Sequence, residues 1–251
     1  MCGIIGIIGK EQASPRLVEA LKRLEYRGYD SAGIATLLDG VIGRRRAAGK
    51  IKNLEAELAA SPLLGNTGIG HTRWATHGAP TTQNAHPHAT ARVAVVHNGI
   101  IENFRTLREE LESKGYVFDS QTDTEVLTQL ISHSMESGLT PKEAVIEALN
   151  RVRGAFAIAC LFTGNENLMI GARQGSPLVL GLGDGEMFLG SDAIAVAPFT
   201  NRVIYLEEGD LVEFSATEYS IVDKDRAPVH RPVSIVAASA AAIEKGNYRH
   251  F

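Results

Sequence analysis

The chain opens on Gly3-Ile4-Ile5-Gly6-Ile7-Ile8-Gly9, a run without a polar side chain. Its β-branched residues and closely spaced glycines predict a buried strand. A strand that offers no polar face has to be covered by the rest of the chain, which makes this run the strongest constraint on the fold. Further strand signals are Val93–Val96, Ala155–Phe162, Leu168–Ala172, Leu178–Leu180, Met187–Leu189, Val203–Leu206 and Leu211–Phe214, separated mainly by Gly, Asp and Asn turns.

Helix signals lie between these strand-rich regions. Ser14 as cap, Pro15 at the first position and the stripe Leu17, Val18, Leu21, Leu24 predict one helix, with Gly28 as its stop. Phe104, Leu107 and Leu111 share a face of a second, ending near Gly115. Thr122 or Asp123 caps a third, carrying Val126, Leu127, Leu130 and Ile131. Thr140-Pro141-Lys142-Glu143 is a capping box for a fourth, with Val145, Ala148, Leu149 and Val152 on its buried face and Gly154 at its end. Clustered helices between clustered strands predict a layered α+β architecture rather than alternating βαβ units.

With 251 residues the chain can bury a substantial core as one large domain or two small ones. A net charge of −4 argues against nucleic acid or an anionic membrane as partner. The one dense basic run, Arg44-Arg45-Arg46, reads as a solvated face. No stretch reaches the roughly 18 apolar residues of a membrane span. The N-terminus lacks the basic region and cleavage pattern of a signal peptide. Two cysteines, Cys2 and Cys160, form no disulfide framework, so a cytoplasmic chain with reduced thiols is expected.

Cys2 follows the initiator Met1 directly. As a small apolar residue entering a strand it needs no function. Removal of Met1 would, however, leave a free α-amine beside the thiol, and an α-amine of pKa about 7.7–8.0 can accept the thiol proton. Nucleophile and base would then sit on one residue.

Three other segments offer complementary chemistry. In His71-Thr72-Arg73-Trp74-Ala75-Thr76-His77-Gly78 the Arg73 guanidinium is a planar fork matched to a carboxylate, with Thr and His side chains of the same run as nearby donors; a surface loop with a packed Trp74 reads equally well. In His97-Asn98-Gly99 a side-chain amide and a glycine N–H can hold an oxyanion, although Asn-Gly by itself is first a turn dipeptide. Asp123 can pair with a substrate ammonium, or serve only as a helix cap.

Other patterns are weaker. The spacing of His71, His77, His86, His88 and His97 matches no standard zinc pattern, so no metal is expected. Gly181-Leu182-Gly183-Asp184-Gly185-Glu186 reads as a hairpin turn, since a dinucleotide loop would need Gly at its sixth position and a helix after it. Cys160 lies in an apolar run and reads as core.

Taken together, Cys2-Gly3-Ile4-Ile5-Gly6 and Glu25-Tyr26-Arg27-Gly28-Tyr29-Asp30-Ser31-Ala32-Gly33 resemble the class-II, N-terminal-nucleophile glutamine amidotransferases. The resemblance extends through Gly70–Gly78, Asn84–His88, Val96–Asn103, Thr122–Val126, Ala172–Leu178, Glu207–Asp210 and Lys245–Phe251, in order along essentially the whole chain. It implies a four-layer αββα sandwich and a glutaminase domain over 1–240, with 241–251 beginning a linker.

The resemblance also implies roles. Cys2 attacks the glutamine side-chain amide and forms a γ-glutamyl thioester, and Asn98 and Gly99 form the oxyanion hole. Arg73, Thr76 and His77 hold the α-carboxylate, Asp123 takes the α-ammonium, and Trp74 sits on a glutamine-covering loop. No cofactor is implied. The motifs are most similar to those family members whose glutaminase domain precedes two sugar-isomerase domains. Those members pass ammonia to fructose 6-phosphate, make glucosamine 6-phosphate and form homo-oligomers. Amidophosphoribosyltransferases, which typically carry Tyr where Trp74 stands here, are the alternative.

Overall fold

A computed structural model of the protein describes residues 2–75 and 78–236. In chain order the elements are β1 (Gly3–Ile8), α1 (Ala13–Leu24), β2 (Ser31–Leu38), β3 (Val41–Ala48), α2 (Ile51–Ala60), β4 (Thr67–Arg73), β5 (His88–Ala89) and β6 (Val93–Ile101). Three helices follow, α3 (Phe104–Ser113), α4 (Asp123–Glu136) and α5 (Pro141–Arg151). The chain continues through β7 (Gly154–Phe162), β8 (Met169–Gln174), β9 (Val179–Leu182), β10 (Met187–Gly190), the short α6 (Ala193–Val196) and β11 (Arg202–Tyr205). It closes on β12 (Leu211–Phe214), β13 (Tyr219–Val222), β14 (Pro228–Val229) and β15 (Val233–Ile235).

The strands form two antiparallel sheets. One runs β15-β11-β9-β10-β1-β4-β2-β3 and the other β14-β13-β12-β8-β7-β6-β5. Period-two alternation in β1 shows how the layers stack. Ile4 and Ile8 point between the sheets with Val96, Ala157 and Leu189. Ile5 and Ile7 point outward onto Leu17, Leu21 and Leu24 of α1. On the far side, Val95 and Ile158 pack against Val126 and Leu130 of α4 and Val145 of α5. The result is the αββα sandwich expected from the resemblance, and β1 is apolar throughout because both of its faces are buried. A Cβ at Gly6 would lie 2.5 Å from the Met169 sulfur, so the glycine lets the sheets close on each other there.

Local chemistry explains most element boundaries. Thr140 and Glu143 make the expected reciprocal capping box on α5. Thr122, rather than Asp123, caps α4 by accepting from the Glu125 N–H. Ser14 does not cap α1: the helix begins at Ala13 behind Gln12, with Ser14 buried inside it.

Gly28 is not a left-handed helix stop either. It follows a single 3₁₀ turn over Glu25–Arg27 and is extended. Its missing Cβ would lie 2.7 Å from the Arg73 carbonyl carbon, so it serves the close approach of two chain segments. Gly154 opens β7 instead of ending α5. The Gly181–Glu186 segment forms the end of β9 and the β9–β10 hairpin turn, with Gly183 N–H donating to Glu186 O at 3.0 Å.

Candidate active site

Cys2 lies immediately before β1, in the middle of its sheet, where β4 runs alongside with Gly3 opposite Thr72. This register brings the end of β4 to the cysteine. The Trp74 N–H donates to Cys2 Sγ at 3.2 Å, and Sγ lies 3.5 Å from Trp74 O. Burial raises the thiol pKa, and the Trp74 amide hydrogen bond opposes that rise. Cys160, by contrast, is fully buried in β7 among apolar side chains, and burial alone pushes its thiol far upward. One cysteine is half-buried beside polar groups and the other is core, as the sequence suggested.

The Arg73 side chain is buried at the same place and donates to Gly78 O and Ala79 O at 3.4 and 3.3 Å. Asn84 ties this loop down by donating to Ala79 O at 3.0 Å. Trp74 stays half exposed and meets Tyr29 edge-on, with ring centroids 5.5 Å apart. Asp30, quoted above only as part of a motif, accepts from the Ala75 N–H and so holds the chain just past Trp74. Thr76, His77 and Met1 lie outside the described residues, as does the expected linker.

Asn98-Gly99 is not a hairpin turn. It sits inside β6, which runs on to Ile101 with Gly99 opposite Phe156 of β7. Gly99 has φ of +132°, and a Cβ there would come within 2.0 Å of Ala155 O, so only glycine fits. Asn98 Nδ2 donates to Cys2 O at 3.1 Å and Oδ1 lies 3.0 Å from His71 Nε2. Asp123, at the first turn of α4, accepts from Ile101 N–H at 2.8 Å, and the helix N-terminus favours its negative charge. One small pocket is lined by Cys2, Arg73, Trp74, Gly99 and Asp123 together. Residues far apart in sequence thus converge on the thiol.

Four histidines gather at the pocket, two of them, His86 and His97, in its lining, and their linear spacing does not disclose this clustering. His71, His86, His88 and His97 are all buried. The His71 and His86 rings stack with centroids 4.1 Å apart, and His86 meets His88 edge-on at 4.9 Å. Thr124 Oγ1 bonds His86 Nε2 at 2.7 Å and His97 Nδ1 at 2.9 Å, while Thr122 Oγ1 bonds His88 Nε2 at 2.9 Å. Burial holds His71 down to about 3 and lowers His86 and His88 well below the usual imidazole range. All three rings are therefore neutral near pH 7.

Arg44-Arg45-Arg46 is not a solvated face. Arg46 donates to Gln83 O and Ala85 O, each at 2.9 Å, Arg44 donates to Pro87 O at 3.0 Å, and Arg45 donates to Ser61 O. Arg44 and Arg46 clamp the segment that carries His86. Alternation along β3 turns Arg44 and Arg46 to one side and Arg45 to the other.

A cysteine at the head of a central strand of an αββα sandwich defines the N-terminal-nucleophile class of amide-cleaving folds. Comparison with known proteins narrows this. A family model described as a glutamine amidotransferase domain matches residues 71–198, about half of the chain. Over 251 residues the chain is 61% identical to glutamine--fructose-6-phosphate aminotransferase (isomerizing) of Caulobacter vibrioides, covering 100% of this chain and 41% of that protein. The corresponding Bradyrhizobium diazoefficiens protein is 60% identical with the same coverage. Among solved structures, glutamine phosphoribosylpyrophosphate amidotransferase from B. subtilis aligns with a TM-score of 0.73 at 26% identity, over 95% of this chain and 50% of that one. The chain belongs to the glutamine amidotransferase domain family. It spans about two fifths of the length of the curated relatives it matches.

Proposed function

We propose that this chain hydrolyses L-glutamine to glutamate and ammonia through Cys2, freed of Met1, as nucleophile. The observation that carries this reading is the shared pocket, which Cys2, Arg73, Gly99 and Asp123 line together. Arg73 and Asp123 supply opposite charges for the α-carboxylate and α-ammonium of an amino acid, with Thr76 and His77 assigned to the carboxylate side. Trp74, half exposed on the segment beyond Arg73, covers the bound substrate.

The steps follow from these placements. The free α-amine of Cys2 takes the thiol proton, which offsets the rise that burial imposes on the thiol. The thiolate adds to the substrate carboxamide carbon, and charge develops on the former carbonyl oxygen. Asn98 Nδ2 has two hydrogens; one goes to Cys2 O, and the other, with the Gly99 N–H, stabilises that oxyanion. Collapse breaks the C–N bond, the α-ammonium protonates the departing nitrogen, and a γ-glutamyl thioester remains. Water then cleaves the C–S bond and regenerates the thiol.

For the whole polypeptide we propose that the ammonia passes to fructose 6-phosphate on sugar-isomerase domains, giving glucosamine 6-phosphate. Identity of 61% across the entire chain to the Caulobacter aminotransferase supports this acceptor over phosphoribosyl pyrophosphate. Glutamate release from glutamine by the Met1-free chain, compared with a Met1-retaining form and Cys2→Ala, tests the first proposal. Activity confined to the Met1-free chain supports it; equal activity in all three refutes it. Formation of glucosamine 6-phosphate by the full-length polypeptide tests the second.

A further inference from the structure

His71 lies on β4, under the site rather than in the pocket lining. Its Nε2 is 3.1 Å from His97 O and 3.0 Å from Asn98 Oδ1. A carbonyl oxygen only accepts, so Nε2 carries the proton and donates to both. This fixes the Asn98 amide as well. Turning it over would set its NH₂ against the His71 N–H and its oxygen against Cys2 O, replacing two attractions with two repulsions. Among the described residues His71 Nδ1 has no hydrogen-bond partner, which fits a neutral ring whose single proton is on Nε2.

The ring itself is held in place by its neighbours. His86 stacks on it, anchored by Thr124 Oγ1 at 2.7 Å. Arg44 and Arg46 bond the carbonyls of Gln83, Ala85 and Pro87 on either side of His86. Gly33 lets the His86 carbonyl approach to where a Cβ would be 2.2 Å away.

We infer that His71 is the positioning residue of the oxyanion hole: its Nε2–H locks the Asn98 amide so that one N–H reaches Cys2 O and the other faces the reacting carbonyl. This rests on the reading of Asn98 as an oxyanion donor. Loss of such a donor costs about 10²–10³-fold in kcat, and loss of its orientation is expected to cost somewhat less, about 10–100-fold.

The test is a double-mutant cycle on glutamine hydrolysis with the Met1-free chain. His71→Phe keeps a ring against His86 but removes the donor, and should lower kcat about 10–100-fold with KM within about twofold. His71→Gln places an amide N–H at the Nε2 position and should restore most of the loss. In an Asn98→Ala background, His71→Phe should cost less than about twofold more, because nothing remains to be oriented. Should His71→Phe not fold, His71→Asn, whose amide is too short to reach Asn98, takes its place.

Equal losses from the His71 change in both backgrounds, or a folded Gln variant no better than Phe, would overturn the inference and leave the oxyanion reading standing. An Asn98→Ala chain as active as the parent would sink both.

Discussion

Lowering the pH from 7 to 5 should strip this protein of much of its stability through the buried histidines. His71, His86 and His88 are neutral in the fold because burial lowers each pKa, His71 to about 3. In the unfolded chain each has a pKa of about 6.5. The unfolded state therefore binds more protons between these values, and stability falls as the pH drops below about 6.5. The unfolded imidazole of His71 goes from about one quarter protonated at pH 7 to nearly fully protonated at pH 5, which favours unfolding by about 2 kcal/mol. His86 and His88, lowered by burial in the same direction, add to this loss.

Glu186, whose carboxyl hydrogen-bonds with Arg16 and is lowered by it, adds its loss only below about pH 4.5 and does not obscure this window. Urea unfolding at half-unit pH steps measures the slope. His88→Gln, which keeps an amide partner for Thr122 Oγ1 but cannot titrate, should make the loss of stability toward pH 5 measurably shallower. A flat stability between pH 7 and 5, or a His88→Gln chain with the parent's slope, would show that these histidines do not govern the acid sensitivity.

Three further outcomes are expected. Gly99→Ala forces a Cβ toward Ala155 O at a φ of +132°; conformational strain alone should cost about 1–3 kcal/mol in thermal unfolding, and kcat should fall about 100-fold as the backbone donor shifts. Arg73→Lys replaces a bidentate fork with a point charge, so KM for glutamine should rise about 10-fold or more while kcat changes less. Arg46→Met removes two hydrogen bonds to the segment carrying His86, and should lower the urea-derived stability by about 1–2 kcal/mol.

Much of this architecture is legible in the amino-acid order because periodicity and capping are local. The wholly apolar β1, the Thr140 capping box and the Leu17–Leu24 stripe each declare themselves within a few residues. What depends on distant partners does not. Asn98-Gly99 looks like a turn until β7 is laid beside it and Ala155 O excludes any Cβ. Arg44–Arg46 looks solvated until the carbonyls of Gln83, Ala85 and Pro87 arrive from 37 or more positions later in the chain. α2 carries only two fully buried side chains, Ile51 and Leu54, so its stripe is too short to stand out. His71 sits in a motif whose Arg73 draws attention first, and its bond to Asn98 exists only once β4 and β6 face each other across the sandwich.

The central claim is that Cys2 becomes the nucleophile when its α-amine is free. A glutamine analogue with an electrophilic ketone in place of the carboxamide would trap that nucleophile covalently, and peptide mass mapping would locate it. The chain holds two cysteines, so the comparison is internal. The expected result is a single adduct, on Cys2, in Met1-free molecules, with Cys160 unlabelled. Equal labelling of Cys2 in Met1-retaining molecules, or an adduct on Cys160 instead, would contradict it.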